Sequence, residues 1–95
     1  MKGRIVAVLC GSHREFVKWA NENPKQAGER IGYGAFRDAT YVTGPHDVYR
    51  VRGLEIAGVI EYGTYHKMRD LERVRAYVRS CVRLPRTNQS PEATV

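Results

Sequence analysis

The sequence has few of the residues that build most small active sites. Of its 95 residues two are cysteine, three histidine and one tryptophan. Two cysteines do not make a disulfide framework. Cys10 lies in a strand-like apolar run and Cys81 on a helix-like one, which suits reduced core thiols. His13, His46 and His66 are scattered without the spacing of a metal site, so neither a metal nor another cofactor is expected. No segment approaches the roughly 20 apolar residues that span a bilayer. The apolar run at residues 5–10 is short, and charged residues follow it at once, unlike a signal peptide. The expectation is a soluble, cytoplasmic protein with no membrane partner. A chain this short supports one modest core and no two-lobed cleft.

Nucleotide and hydrolase signatures are also missing. The pattern G-x-x-x-x-G-K-[ST], which places a lysine on a triphosphate, does not occur, and neither does G-x-G-x-x-G. Gly32-Tyr33-Gly34 lacks the third glycine and follows no strand signal. The serine-hydrolase elbow G-x-S-x-G is absent. A tyrosine-phosphatase loop needs a cysteine and an arginine separated by five residues, whereas three separate Cys10 from Arg14.

What is present is an alternation of periods. Residues 5–10, I-V-A-V-L-C, form a continuous apolar run rich in β-branched side chains, the mark of a strand covered on both faces. Phe16, Trp19 and Ala20 then repeat at helical spacing until Asn23-Pro24, because proline disfavours helical geometry in the residue before it. Residues 25–37 carry Gly28, Gly32 and Gly34 without a period and read as a glycine-rich loop. A second strand is expected at residues 39–42, a short helix from Gly44-Pro45 to about Arg52, and a third strand at residues 54–62. Met68, Leu71, Val74, Val78, Cys81 and Val82 place a long amphipathic helix at the end. This β-α-β-α-β-α order predicts a small three-layer α/β domain over residues 1–86, with a Rossmann-like, three-stranded parallel sheet. The polar residues 87–95 read as a disordered tail.

In such sheets ligands sit beyond the carboxyl ends of the strands, where helix N-termini offer free N–H groups. Cys10-Gly11-Ser12-His13 falls there. Ser12 and Glu15 also have capping-box spacing, each side chain serving a backbone N–H at the other's position. The two readings are compatible. The stretch V-L-C-G-S-H-R-E-F resembles the G-S-R-x-F start of small Rossmann-like nucleotide-binding proteins of the SLOG group, with one extra residue at His13. That resemblance implies phosphate contact by the turn. Gly11, Ser12 and His13, with Thr43 and Arg52 from the next strand and helix, are the phosphate-binding candidates.

Residues 41–62, Y-V-T-G-P-H-D-V-Y-R-V-R-G-L-E-I-A-G-V-I-E-Y, resemble a motif of the C-terminal RecA-like lobe of superfamily-two helicases. In that motif a strand ending in threonine precedes a short helix and R-G-hydrophobic-D-hydrophobic. Thr43, Arg52, Gly53, Leu54, Glu55 and Ile56 fall in corresponding places. The gap from Thr43 to Arg52 is longer than in the motif, Glu55 replaces aspartate, and the arginine-finger motif Q-x-x-G-R-x-G-R is missing. The resemblance therefore implies a RecA-like core without helicase activity. R-G-L-E-I is equally explained as a helix end, with Arg50 and Arg52 at the negative end of the dipole and Gly53 in the left-handed position. Small size, arginine richness and this spare layout are also similar to short accessory proteins encoded by phages of GC-rich bacteria, which implies a nucleic acid or a host protein as partner.

Charge points the same way. The net charge is +6, and residues 66–86 hold seven basic residues against two acidic ones, a local balance of +5. On the last helix Arg75, Arg79 and Arg83 form a stripe beside the apolar face, and Arg69 and Arg73 lie opposite that face. These five are the nucleic-acid-binding candidates, and a non-catalytic module that binds an anionic partner is the first functional reading. The same stripe also reads as a solvated face whose acids lie early and bases late, as the helix dipole prefers. A second functional reading is a protein-interaction module or homo-oligomer, for which Tyr33, Tyr41, Tyr49, Tyr62, Tyr65 and Tyr77 supply interface-type side chains. A third is a nucleotide-handling enzyme. Asp47, Glu61 and His66 are its candidate acids and bases, in a spacing that matches no known constellation.

Overall fold

The computed structural model describes residues 5–82. Strand β1 (Ile5–Leu9) sends Ala7 and Leu9 to one core cluster and Val8, with Cys10 beyond it, to another. Alternate residues of a strand point to opposite faces, so an unbroken apolar run means that both faces are covered. Helix α1 (His13–Glu22) lays Phe16, Trp19 and Ala20 on the Val8 face. It ends at Asn23, whose side-chain amide donates to the Trp19 carbonyl at 2.9 Å. The short helix α2 (Pro24–Ala27) follows and is stopped by Gly28 at φ +77°.

Three strands come next: β2 (Arg30–Gly32), β3 (Ala35–Phe36) and β4 (Ala39–Val42). A 3-10 helix (Pro45–Arg50) leads back along the Leu9 face, and Gly53 at φ +81° turns the chain into β5 (Ile56–Glu61). A second 3-10 segment (Gly63–Lys67) then leads to helix α3 (Leu71–Ser80). Val74 and Val78 of α3 pack with Leu9, Val42, Val51 and Ile56. Full burial of a side chain such as Leu9 or Phe16 contributes about 1.5–3 kcal/mol.

The sheet order is β2-β3-β4-β1-β5. β1 pairs in parallel with β4 and β5, while β2 with β3 and β3 with β4 are antiparallel. This mixed five-stranded sheet overturns the expected three-stranded parallel, Rossmann-like and RecA-like architecture. The difference arises in residues 25–37, read as loop but folded as α2 and a hairpin. The residues of β2 are all exposed, so they carry no burial period to read. The final helix is also shorter than expected. Met68 is buried but extended, and Asp70 takes a left-handed φ of 54° before α3 begins.

Cys10 is buried on the α1 face and Cys81 is half-buried against the α3 face, both as free thiols. No helix among the described residues is long and apolar enough to cross a membrane. The tail at residues 87–95 lies outside the described residues.

Candidate functional site

The chain leaves β1 toward one face of the sheet, through α1, and leaves β4 toward the other, through the first 3-10 helix. Where neighbouring parallel strands send their connections to opposite faces, a crevice opens at their carboxyl ends. Gly11, Ser12 and His13 lie at the end of β1, Thr43 and Gly44 at the end of β4, and Glu61 to Thr64 at the end of β5.

The donors at the end of β1 already hold an anion. The Glu15 N–H donates to Ser12 Oγ at 3.3 Å, so Ser12 caps α1. The Glu15 carboxylate does not return to Ser12 as the capping-box spacing predicts. It accepts instead from the Gly11 N–H at 2.7 Å and from Thr64, through the N–H at 3.0 Å and the hydroxyl at 2.9 Å. The Gly11 N–H is the main cause holding the Glu15 carboxyl below its ordinary range. Lost hydration opposes the shift, and the two Thr64 donors add to it. Gly11 has to lack a side chain here, because a Cβ would run into the Thr64 hydroxyl.

At the end of β4 the arrangement repeats. Asp47 is buried and accepts from the Thr43 hydroxyl at 2.6 Å and the Thr43 N–H at 3.0 Å, with Arg50 Nε at 3.3 Å and His46 Nε2 at 4.0 Å. Burial works against ionisation of Asp47, but the Thr43 hydroxyl and N–H, then Arg50 and His46, outweigh it and hold the carboxyl below its ordinary range. Each turn proposed for phosphate thus carries one of the chain's own carboxylates.

The five phosphate candidates do not share one cradle. Gly11 and Ser12 serve Glu15, and Thr43 serves Asp47. The His13 ring leaves the turn for the hairpin, with Nε2 3.0 Å from the Gly34 carbonyl and the ring 4.8 Å from that of Tyr41. Arg52 is exposed in the connection that has already run back toward the start of β5. Cys10 is no nucleophile at neutral pH, since burial pushes its thiol up to about 12. Of the acid–base candidates, Asp47 and Glu61 are engaged in ion pairs, and no three His, Cys, Asp or Glu side chains among the described residues gather as a metal site.

The basic residues divide into two sets. Arg75 is tied to Glu61 at 2.6 Å and to Glu72 at 3.1 Å, and Arg79 lies 3.9 Å from Glu61. Arg83 lies outside the described residues. Lys67, Arg69 and Arg73 are exposed and make no ion pair among the described residues. Arg69 lines an open cleft of about 380 Å³ with Thr43, Gly44, Pro45, His46 and the left-handed Asp70. A second cleft, of about 270 Å³, lies between the start of α1 and the β2–β3 hairpin, lined by His13, Arg14, Val17, Arg30, Tyr33 and Gly34. The sequence reading missed Arg14 and Arg30 because only the hairpin brings them together. Glycines on either side of an aromatic residue were the available signal.

No protein family, curated protein or solved structure matches this chain. The resemblances to the SLOG group, to helicase lobes and to phage accessory proteins thus have no support from relatives. The mixed sheet with its antiparallel hairpin removes the RecA-like one.

Proposed function

We propose that the protein is a non-catalytic binding module for an anionic partner, a nucleic acid, met through Lys67, Arg69 and Arg73 around the start of α3. The observation that carries this reading is the division of the cations. These three are exposed and unpaired among the described residues, whereas Arg75 is held by Glu61 and Glu72 and Arg79 has Glu61 3.9 Å away. A guanidinium already paired with a carboxylate gains little from a phosphate, because the existing pair has to be given up. Phosphate binding at the β1 turn is disfavoured on the same logic, since its donors already serve Glu15.

Contact of this kind is largely independent of base sequence and falls steeply with salt, because neutralised phosphates release counterions. The test is the affinity for a random duplex between low and moderate salt. Replacing Lys67, Arg69 and Arg73 with glutamine weakens binding and removes about 0.9 from the salt slope for each residue that meets a phosphate. Absence of wild-type binding at low salt, or an unchanged triple variant, refutes the reading.

Self-association is the second reading, and the outer position of β5 favours it. Among the described residues, Ala57 to Glu61 are half-exposed on a strand paired along one edge, with a single bridge between Ile56 and Val82 on the other. Such edges invite pairing with another strand. A mass that rises with concentration supports this reading, and a constant monomer mass excludes it.

A further inference from the structure

We propose that the β2–β3 hairpin is a stacking site for an unpaired base of a single-stranded nucleic acid, with Tyr33 as the platform and Arg14 and Arg30 as its phosphate contacts. The proposal rests on the nucleic-acid reading above and adds a second surface and a ligand class to it. Tyr33 is 99% exposed and Ile31, two residues before it on the hairpin, 62% exposed. Tyrosine is large and mostly apolar, and leaving all of it in water forgoes the stabilisation that burial would give. Between Gly32 and Gly34 it has no adjacent side chain to cover its ring.

The hairpin backbone under Tyr33 is fastened to the domain. Gly34 is buried at φ +67° with the His13 ring against it, and its carbonyl lies 3.0 Å from His13 Nε2. Phe36 of β3 is buried edge-on against Phe16, the ring centroids 5.7 Å apart. At the base of the hairpin the Arg37 N–H donates to the Glu29 carbonyl and the Asp38 N–H to the Ala27 carbonyl, both at 2.9 Å. With the backbone fastened, the ordering cost of binding is confined to the Tyr33 side chain.

Charge selects the ligand. Among the described residues no carboxylate lines the cleft beside Tyr33, and its two guanidinium groups, Arg14 and Arg30, make no ion pair. The nearby acids Glu29 and Asp38 are both engaged by Arg37, at 3.8 and 3.3 Å. Two cations without a carboxylate partner among the described residues, Arg14 and Arg30, the latter 5.7 Å over the Phe36 ring, stand beside one open aromatic face and match a strand that offers an exposed base and its flanking phosphates. A duplex keeps its bases stacked inside and cannot use Tyr33 in this way.

The experiment compares an oligothymidine strand with a random duplex, using wild type, Tyr33→Ala, Tyr33→Phe, the Arg14→Gln/Arg30→Gln pair, and the Lys67, Arg69 and Arg73 triple variant. Tyr33→Ala is expected to weaken single-strand binding about ten-fold while Phe retains it, because stacking needs the ring and not the hydroxyl. Duplex affinity stays unchanged in both. The double arginine variant lowers the single-strand salt slope by about 0.7 for each phosphate that the wild-type arginines neutralise. A strand carrying 5-iodouracil crosslinks on irradiation to the tryptic peptide at residues 31–37. Equal single-strand affinity for wild type and Tyr33→Ala overturns the hairpin site, and the triple variant still judges the general reading through the duplex. If the wild type binds neither nucleic acid at low salt, both fall together. A Tyr33→Ala change in mass with no change in affinity assigns the hairpin to a second copy of the chain and also overturns the proposal.

Discussion

Glu15 and Thr64 stand 49 residues apart in sequence and share three hydrogen bonds, two from the Thr64 N–H and one from its hydroxyl. With the Gly11 N–H on the same carboxylate, this contact fastens the turn after β1 to the turn after β5. Converging N–H groups at the end of a parallel strand are what phosphate ligands use in other α/β proteins. In this chain the negative charge they receive is internal, and the crevice becomes a structural joint.

Removing that charge should loosen the joint. Glu15→Gln keeps the shape but turns an all-acceptor group into one with a single acceptor oxygen and a donor facing donors. We expect a loss of about 1–2 kcal/mol at neutral pH, measured by urea denaturation. The pH dependence follows from the direction of the shift. The folded carboxyl lies below its ordinary range, so its contribution is complete above the unfolded value and is lost as pH falls through the folded one. The gap between wild type and variant should therefore narrow in acid. A gap that stays constant from neutral pH to well below the ordinary carboxylate range would show that the charge is not what matters.

Gly11 supplies a steric test of the same joint. Its φ lies outside the left-handed region, so alanine costs nothing in backbone conformation, yet the added Cβ meets the Thr64 hydroxyl. Gly11→Ala should destabilise by about 1–3 kcal/mol through overpacking. Thr64→Ala removes both the obstruction and a hydrogen bond to Glu15. The double variant should be less destabilised than the sum of the two single ones, since residues in contact do not act additively. Strict additivity would mean that the turns separate freely.

The local signals in the sequence were readable where burial or chain chemistry enforced them. The unbroken run of β1 reflects two covered faces, the S-x-x-E spacing placed the Ser12 cap, and Gly53 marked the turn before β5. Arg30 to Gly32 gave no such signal, because an exposed outer strand needs no alternation. The apparent period from Met68 to Leu71 misled, since Met68 reaches the core from extended backbone and Asp70 breaks the helix. The site suffered most from distance along the chain. Nothing in the sequence near Glu15 announces Thr64, and nothing near Arg75 announces Glu61. A helix face read in isolation makes Arg75 and Arg79 look available when Glu61 at the end of β5 pairs with the first and lies near the second.

That last relationship yields the sharpest test of which cations bind. Glu61 holds Arg75 at 2.6 Å and lies 3.9 Å from Arg79, so one carboxylate stands close to two guanidinium groups. Glu61→Gln takes away the negative charge while keeping a side chain of similar size. It should free Arg79, leave Arg75 paired only with the exposed Glu72, and extend the basic surface from Lys67, Arg69 and Arg73 along α3. Duplex affinity at low salt should rise, and the salt slope should steepen by about 0.9 for each arginine that gains a phosphate. Arg75→Gln in the otherwise unchanged protein should cost stability and little affinity, because its charge is already spent on Glu61 and Glu72. The opposite pattern, a large loss of affinity with Arg75→Gln and none with Lys67, Arg69 and Arg73 changed, would return the binding surface to the stripe beside the apolar face.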